Sequence, residues 1–461
     1  MIGPQELIER ITAAAQYDDC IVIVESKTQA NLRWASSTLT TNGVIAEQTV
    51  TVIAFVAVEG GMATGSVSRT NIELSEISSI AKEAGEMAIA AGKAEDQAPL
   101  LRDKSFGDWN LAHHATGPEV FAQFAPNLGE VFKKSKADSI ELFGYAEHNQ
   151  QTIWLGSKGG LRLRHDQPSG RLEMTGKSHD RSRSTWEGRA TRDFDDVDLT
   201  GVDAGIRQRL EWQARTSPKE AGRYQTVVPS GAVADLLAYL LWTSPARDAA
   251  EGRSVYSKKG ELGKTRIGET LAKLPINIYS DPQYAGLESQ PFNVATNSGA
   301  FSSVFDNGLD QGRWDFVRDG KLNGLISTRA VEQATGISYG SGGENLLMEV
   351  PGGAGDLYSQ ISKVQSGLLL TTLWYIRMVD PVTCLLTGLT RDGVYEIKDG
   401  EVIGAVNNFR WNESPVELLG RISSAGAAEI TATREVEGMT RTATPALIID
   451  GFNMSTVSQA N

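Results

Sequence analysis

The hydrophobic positions of this chain repeat with two periods. Leu7, Ile8 and Ile11 fall on one face behind Pro4, a residue suited to a helix's first turn, so a short amphipathic helix is predicted. CIVIVE (20–25) reads as a short buried strand. From Asn31 to Gly60 the chain alternates in strands, with a turn signal at Asn42-Gly43. Ile77, Ile80, Ala84 and Met87 mark a second helix by their spacing. Residues 91–105 are polar and read as loop. Residues 118–135 read as a third helix in which Pro126 is a candidate break.

The stretch 139–192 is rich in strand pattern. A turn centred on Pro168-Ser169 would set Arg164 against Glu173 and Leu163 against Met174, pairing charge with opposite charge and apolar with apolar. In that register His165 faces Leu172, and His179 lies 7 residues further on. At roughly 3.3 Å per residue that is over 20 Å, so the two His-Asp pairs cannot share a metal ion. Residues 203–215 read as a helix and SPKEAGRY as a linker. A strand-like TVVP follows, then a helix that Ser230 can cap, with a stripe of Val233, Leu236, Leu237, Leu240 and Leu241. Beyond it the pattern is almost all strand and turn. Asp319-Gly320 and Asp399-Gly400 sit in similar decapeptides, each predicted to be a hairpin. The expected fold class is α+β. An N-terminal domain (1–216) should be a sheet with helices, and a C-terminal domain (217–461) mainly antiparallel β.

A length of 461 residues suits two large domains, or three. A net charge of -13 argues against nucleic acid or an anionic membrane as partner. No run approaches 18 apolar residues, and the N-terminus lacks the basic and apolar regions of a signal peptide, so a cytoplasmic location is expected. The 2 cysteines do not suggest a disulfide framework, and Cys384 reads as buried and structural. The 5 histidines all precede Asp180. The C-terminal part therefore cannot build a His-rich metal site or a Ser/His or Cys/His pair by itself. SYGSGGEN and VPGGAGD lack the strand-loop-helix context of a phosphate cradle and read as loops. Glu344, Glu349, Asp392 and Glu413 are not patterned as an acid/base pair. One segment, AVNNFRWNES (405–414), concentrates amides, an arginine and aromatics. Asn407, Asn408, Arg410 and Asn412 could hold a peptide backbone or a carboxylate, and with Arg247 they are the candidate substrate-binding residues.

The run from Leu368 to Ile422, LLLTTLWYIRMVDPVTCLLTGLTRDGVYEIKDGEVIGAVNNFRWNESPVELLGRI, resembles the C-terminal domain of the TldD/PmbA family of zinc metalloproteases. ANLRWASSTLTTNGV, GLRLRHDQPSGRLEMTGKSHDRSRS, TRDFDDVD, SVFDNG and TPALIIDGFNMSTVSQ are similar to the same family, in its actinobacterial form. The resemblance implies a pair of related subunits enclosing a tunnel for an unfolded peptide. In the TldD-type subunit an HExxxH helix binds zinc and supplies the glutamate base. The PmbA/TldE-type subunit keeps the fold without that motif. Here the corresponding helix is SGAVADLLAYLLWTS, with Leu237, Ala238 and Trp242 where His, Glu and His would stand. The resemblance therefore implies a TldE-like subunit with no catalytic residue and no metal of its own, and zinc on a TldD-like partner. An alternative is a related two-subunit complex of antibiotic biosynthesis that cleaves a non-peptide bond, such as C–S in a thiol conjugate. A third reading is a homodimeric binding module with no zinc partner.

Overall fold

The first helix forms where the apolar spacing places it: α1 (Pro4–Ala14) buries Leu7, Ile8 and Ile11. A computed structural model describes residues 2–436, 439 and 441–458 and shows an α+β protein built on two mostly antiparallel sheets. The first sheet contains β1 (Asp19–Ala35), β2 (Thr38–Val58), β3 (Gly61–Thr70), β4 (Ser105–Phe106), β5 (Ile140–Ser157), β6 (Arg162–Ser178) and β7 (Ser184–Thr191). Their order is β3-β2-β1-β5-β6-β4, with β7 also on β6.

Side chains alternate across this sheet, and the two faces differ. The even-numbered positions of β1, from Cys20 to Trp34, are covered by α1, α2 (Ile77–Ala91), α3 (Phe124–Ala137) and α4 (Leu199–Trp212). On the opposite face Ile21, Ile23, Phe55 and Leu155 pack against Phe292, Val304 and Phe305 from the C-terminal half. Phe55 and Phe305 meet edge to face at 5.2 Å. Beyond this apolar cluster the face carries a polar stretch that includes Lys27, Gln29, Asn149, Gln151 and Gln167.

Several local expectations shift. The turn after β1 is at Ser36-Ser37, both at positive φ (47° and 56°), not at Asn42-Gly43. Tertiary hydrogen bonds hold it: Ser37 N donates to Leu142 O at 2.8 Å, and Ser37 Oγ meets Ser135 Oγ at 2.9 Å. Gly43 instead stands in β2 opposite Asn31. There is no hairpin at Pro168-Ser169 either. Strand β6 runs through, with Arg164 opposite Trp154, His165 opposite Ile153 and Glu173 opposite Tyr145. One edge of β6 pairs β4 at Arg162 and Leu163 and β7 only from Gly170 onward, so Pro168 lies where no N–H is needed. Pro126 does not break a helix but sits in the first turn of α3, after a separate turn at Pro118–Phe121. Met87 is 47% exposed, and Ala88 takes its place in the buried stripe. The helix expected at 203–215 is α4, which starts four residues earlier, where the Asp198 side chain caps it.

The second sheet begins with β8 (Gly222–Val228), which leads into α5 (Ser230–Trp242) and α6 (Ala246–Ala250). There follow β9 (Asn277–Ser280), β10 (Trp314–Arg318), β11 (Lys321–Leu322), α7 (Arg329–Thr335), β12 (Leu346–Glu349), α8 (Leu357–Ile361) and β13 (Ser366–Leu370). Next come β14 (Leu373–Asp380), β15 (Leu385–Thr390), β16 (Val394–Lys398), β17 (Glu401–Ala405) and β18 (Phe409–Glu413). The chain closes with α9 (Pro415–Leu419), β19 (Ile422–Thr431) and β20 (Thr442–Val457). Strand β20 is central: it pairs β12, β8, β18 and β19. Both Asp-Gly hairpins form as expected, β10–β11 and β16–β17, with positive φ at both turn residues. Helix α5 lies in the main core of this half.

Candidate functional site

Helix α5 reads SGAVADLLAYLLW and carries a single charged side chain, Asp235. Its leucines fill the core, and Asp235 is 1% exposed. A carboxylate so buried needs donors. Three backbone N–H groups supply them, those of Arg434 at 3.2 Å, Glu435 at 3.0 Å and Val436 at 3.3 Å. Burial pushes the carboxyl up to about 7; the three N–H groups oppose that more weakly, and nearby Glu435 adds to it. Ser230 does not cap the helix. Pro229 occupies the cap, and Ser230 Oγ donates to Glu429 at 2.6 Å.

The segment held by Asp235 ties the two halves together. The Arg434 guanidinium lies 5.1 Å from the ring centre of Trp186 and 4.8 Å from that of Trp374. It pairs with Asp392 at 2.6 Å, and Ser184 Oγ donates to Asp392 at 2.7 Å. Trp186 and Ser184 belong to β7, Trp374 to β14. One arginine thus links the edge of the first sheet to the second.

Beside this tie lies a cleft of about 400 Å³, walled by β7 and α4 on one side and by the starts of α5 and α8 with the end of β19 on the other. Glu187 is buried in its wall between Arg189 at 2.8 Å and Arg209 at 2.9 Å. Thr372 Oγ1 is buried there with no hydrogen-bond partner among the described residues. The polar half of the first sheet extends the wall. Lys27, Gln151 and Gln167 lie abreast on β1, β5 and β6, with Gln29, Asn149 and Ser169 in the next row. Gln29 Nε2 donates to Asn149 Oδ1 at 3.0 Å, and Asn149 Nδ2 to Glu147 Oε1 at 2.6 Å. This face is turned toward the second half: Gln167 Nε2 donates to Glu288 O at 3.1 Å and Arg171 Nη2 to Thr433 O at 3.2 Å. The cleft lining includes no histidine or cysteine. What the wall offers is donors and acceptors about 4.8 Å apart along each row, the spacing of neighbouring extended chains.

Residues singled out by sequence sit elsewhere. Asn407 Oδ1 accepts from Lys219 N at 2.7 Å, and Asn408 Oδ1 from Thr390 Oγ1 at 3.0 Å. Arg410 is exposed and donates to Thr387 Oγ1 at 3.3 Å; the Asn412 carbonyl accepts from Asn453 Nδ2 at 3.1 Å, while its Oδ1 is buried without a partner. These four lie along β18 and its approach and are not among the residues of the cleft. Arg247, just past α5, pairs with Glu95 at 3.3 Å. Sequence reasoning missed Trp186, Asp235, Trp374 and Arg434. Asp235 alone had a local signal, as the one charge in an otherwise apolar helix. Cys384 is buried, its thiol pushed up to about 11 by desolvation.

The family resemblance implies zinc on this helix in the TldD-type subunit, and the residues here do not fit it. Leu237 and Ala238 are buried in the core, and Trp242 stacks edge-on against Tyr239 at 4.9 Å. None of the three carries a ligating atom. Among the described residues no group of three or more His, Cys, Asp or Glu could hold a metal ion. No helix among them is long and apolar enough to cross a membrane.

Comparison with known proteins bears on the whole chain. Residues 221–456 match the family model described as PmbA/TldA metallopeptidase C-terminal domain. None of the curated proteins matches. Among solved structures, TldE from Thermococcus kodakarensis superposes with a TM-score of 0.78 at 14% identity, covering 97% of this chain and 99% of that one. A putative modulator of a DNA gyrase from Thermotoga maritima gives 0.76 at 13% identity over 97% and 99% of the two chains. One from Bacteroides thetaiotaomicron gives 0.74 at 14% over 99% and 100%. At such identities the structures attest the fold, and the family model spans more than half of the sequence. The chain belongs to the PmbA/TldD family of metallopeptidase-like proteins.

Proposed function

We propose that this chain is the non-catalytic, TldE/PmbA-like subunit of a two-chain, cytoplasmic metallopeptidase. In this reading it completes a chamber and holds a peptide, while a TldD-like partner carries HExxxH, the zinc and the hydrolytic step. The observation that carries the reading is the replacement of ligand positions by core: Leu237 and Ala238 are sealed among the apolar side chains of α5. Two further features support a holding role. The cleft beside α5 is polar, its lining includes no histidine or cysteine, and the polar rows of the first sheet are turned toward it. Asn407, Asn408 and Asn412, with Arg410 and Arg247, are proposed as contacts outside the cleft, on the way to the partner.

The test is co-expression with an HExxxH-bearing chain of the same genome. Co-purification as a one-to-one complex, with peptidase activity and zinc in the partner alone, is the expected result. One tightly bound zinc per chain in this protein purified by itself would overturn the reading.

A further inference from the structure

A second, smaller cavity of about 70 Å³ lies where the polar face of the first sheet meets the second half. His165, Gln167 and Ser169 form one wall; Leu287, Ile430 and Arg441 form the other. Its acidic neighbours are already engaged. Arg164 holds Asp166 at 2.7 Å, Thr191 donates to Asp196, and Arg192 faces Glu288 at 3.5 Å. Arg441 is different. Its side chain is 19% exposed, its Nε is buried without a partner, and its nearest acid is Glu344 at 3.6 Å, beyond hydrogen-bond reach. Among the described residues none accepts a hydrogen bond from this guanidinium. Burial pulls its proton affinity down more than half-exposed Glu344 raises it. A buried cation is stable when an anion meets it.

We propose that this cavity binds a carboxylate, with Arg441 as its anchor. A guanidinium presents its N–H groups as a planar fork, which matches a carboxylate's two oxygens. The space suits a group of a few heavy atoms, and the acids Asp166, Asp196 and Glu288 around it disfavour a doubly charged phosphate. Ile430 lines both this cavity and the larger cleft, so a chain anchored here by its carboxylate runs on into the cleft. That the chain is a peptide rests on the function proposed above; its carboxylate is either the C-terminus or an acidic side chain.

Calorimetry on the full chain alone, without partner or metal, tests this. Three probes are needed: N-acetyl-Ala-Ala-Leu as free acid, the same peptide as amide, and N-acetyl-Ala-Asp-Leu amide. Binding of the free acid at least about tenfold tighter than its amide is expected, the size of a charge-assisted hydrogen bond. Preference for the Asp-containing amide instead identifies a side-chain carboxylate as the source. Arg441→Gln should abolish the discrimination. Glu344→Gln, a change at a half-exposed site compatible with folding, should tighten acid binding severalfold by removing the competing charge. Equal binding of all three probes, no binding of any, or an acid affinity unmoved by either substitution would overturn the proposal. Failure of the subunit reading shows separately, as absence of a zinc-bearing partner while acid and amide remain distinguished.

Discussion

Asp235 makes the stability of this protein depend on pH with an unusual sign. Its carboxyl is pushed up to about 7 in the folded chain, from about 3.9 in an unfolded one. A raised carboxyl means that the native state binds a proton the unfolded state has released. Between about pH 4 and pH 7 the native state therefore gains stability as pH falls, and above pH 7 the ionised group costs the fold its full penalty. At about 1.4 kcal/mol per pH unit, the span amounts to about 4 kcal/mol. For cooperative unfolding of half to all of the chain that corresponds to roughly 4–8 °C in Tm. Three histidines work in the opposite direction. His113, His148 and His165 are all held below their usual range by desolvation, and each loses stability as pH falls through the ordinary imidazole range. The assay must isolate Asp235, so wild type and Asp235→Asn are melted side by side from pH 4.5 to pH 8.5. The histidine contributions cancel in the difference. Asparagine keeps an acceptor for Glu435 and Val436 but sets an NH₂ against the Arg434 N–H, a pH-independent cost of about 1–3 kcal/mol. The wild-type advantage over the variant should shrink as pH rises from 5 to 8. An advantage that grows over that range would show that the three N–H groups outweigh burial, and the reasoning would fail.

Other substitutions probe the remaining structure. Arg434→Ala leaves Asp392, whose side chain is 5% exposed, with only the more distant Arg391 at 3.9 Å and removes the contact between Trp186 and Trp374; a loss of about 3 kcal/mol in denaturant melts is expected, with Arg434→Lys in between. Gly65→Ala places a Cβ 2.3 Å from Ala88 N and 2.4 Å from Ala84 O, where β3 presses on α2, so several degrees of Tm should be lost in calorimetric scans. Neither cysteine should react with a thiol reagent in the native chain, since both are buried and their thiols are pushed up to about 12 at Cys20 and about 11 at Cys384; two thiols per chain should appear on denaturation.

What the sequence discloses about this fold depends on how local the determining interaction is. Asp319-Gly320 and Asp399-Gly400 turn where their chemistry says because a two-residue loop needs little beyond itself. Asn42-Gly43 carries the same signal and does not turn. Ser37 bonds to Leu142 and Ser135, about a hundred residues away, and fixes the reversal six residues earlier. Pro168 looks like a break because a central strand would reject it, yet the strand beside it has not begun to pair. In each case long-range pairing overrules a correct local preference.

The site obeys the same logic more severely. Trp186, Trp374, Asp392 and Arg434 are spread over 249 positions, and nothing in any one segment marks them as neighbours. Asp235 escapes sequence reasoning although it carries a local signal: a lone carboxylate on an apolar helix contradicts its surroundings and requires a partner somewhere. The three N–H groups of residues 434–436 are that partner. The histidine-free helix therefore still has a directed role: through Asp235 it holds in place the segment that locks the two halves around the cleft.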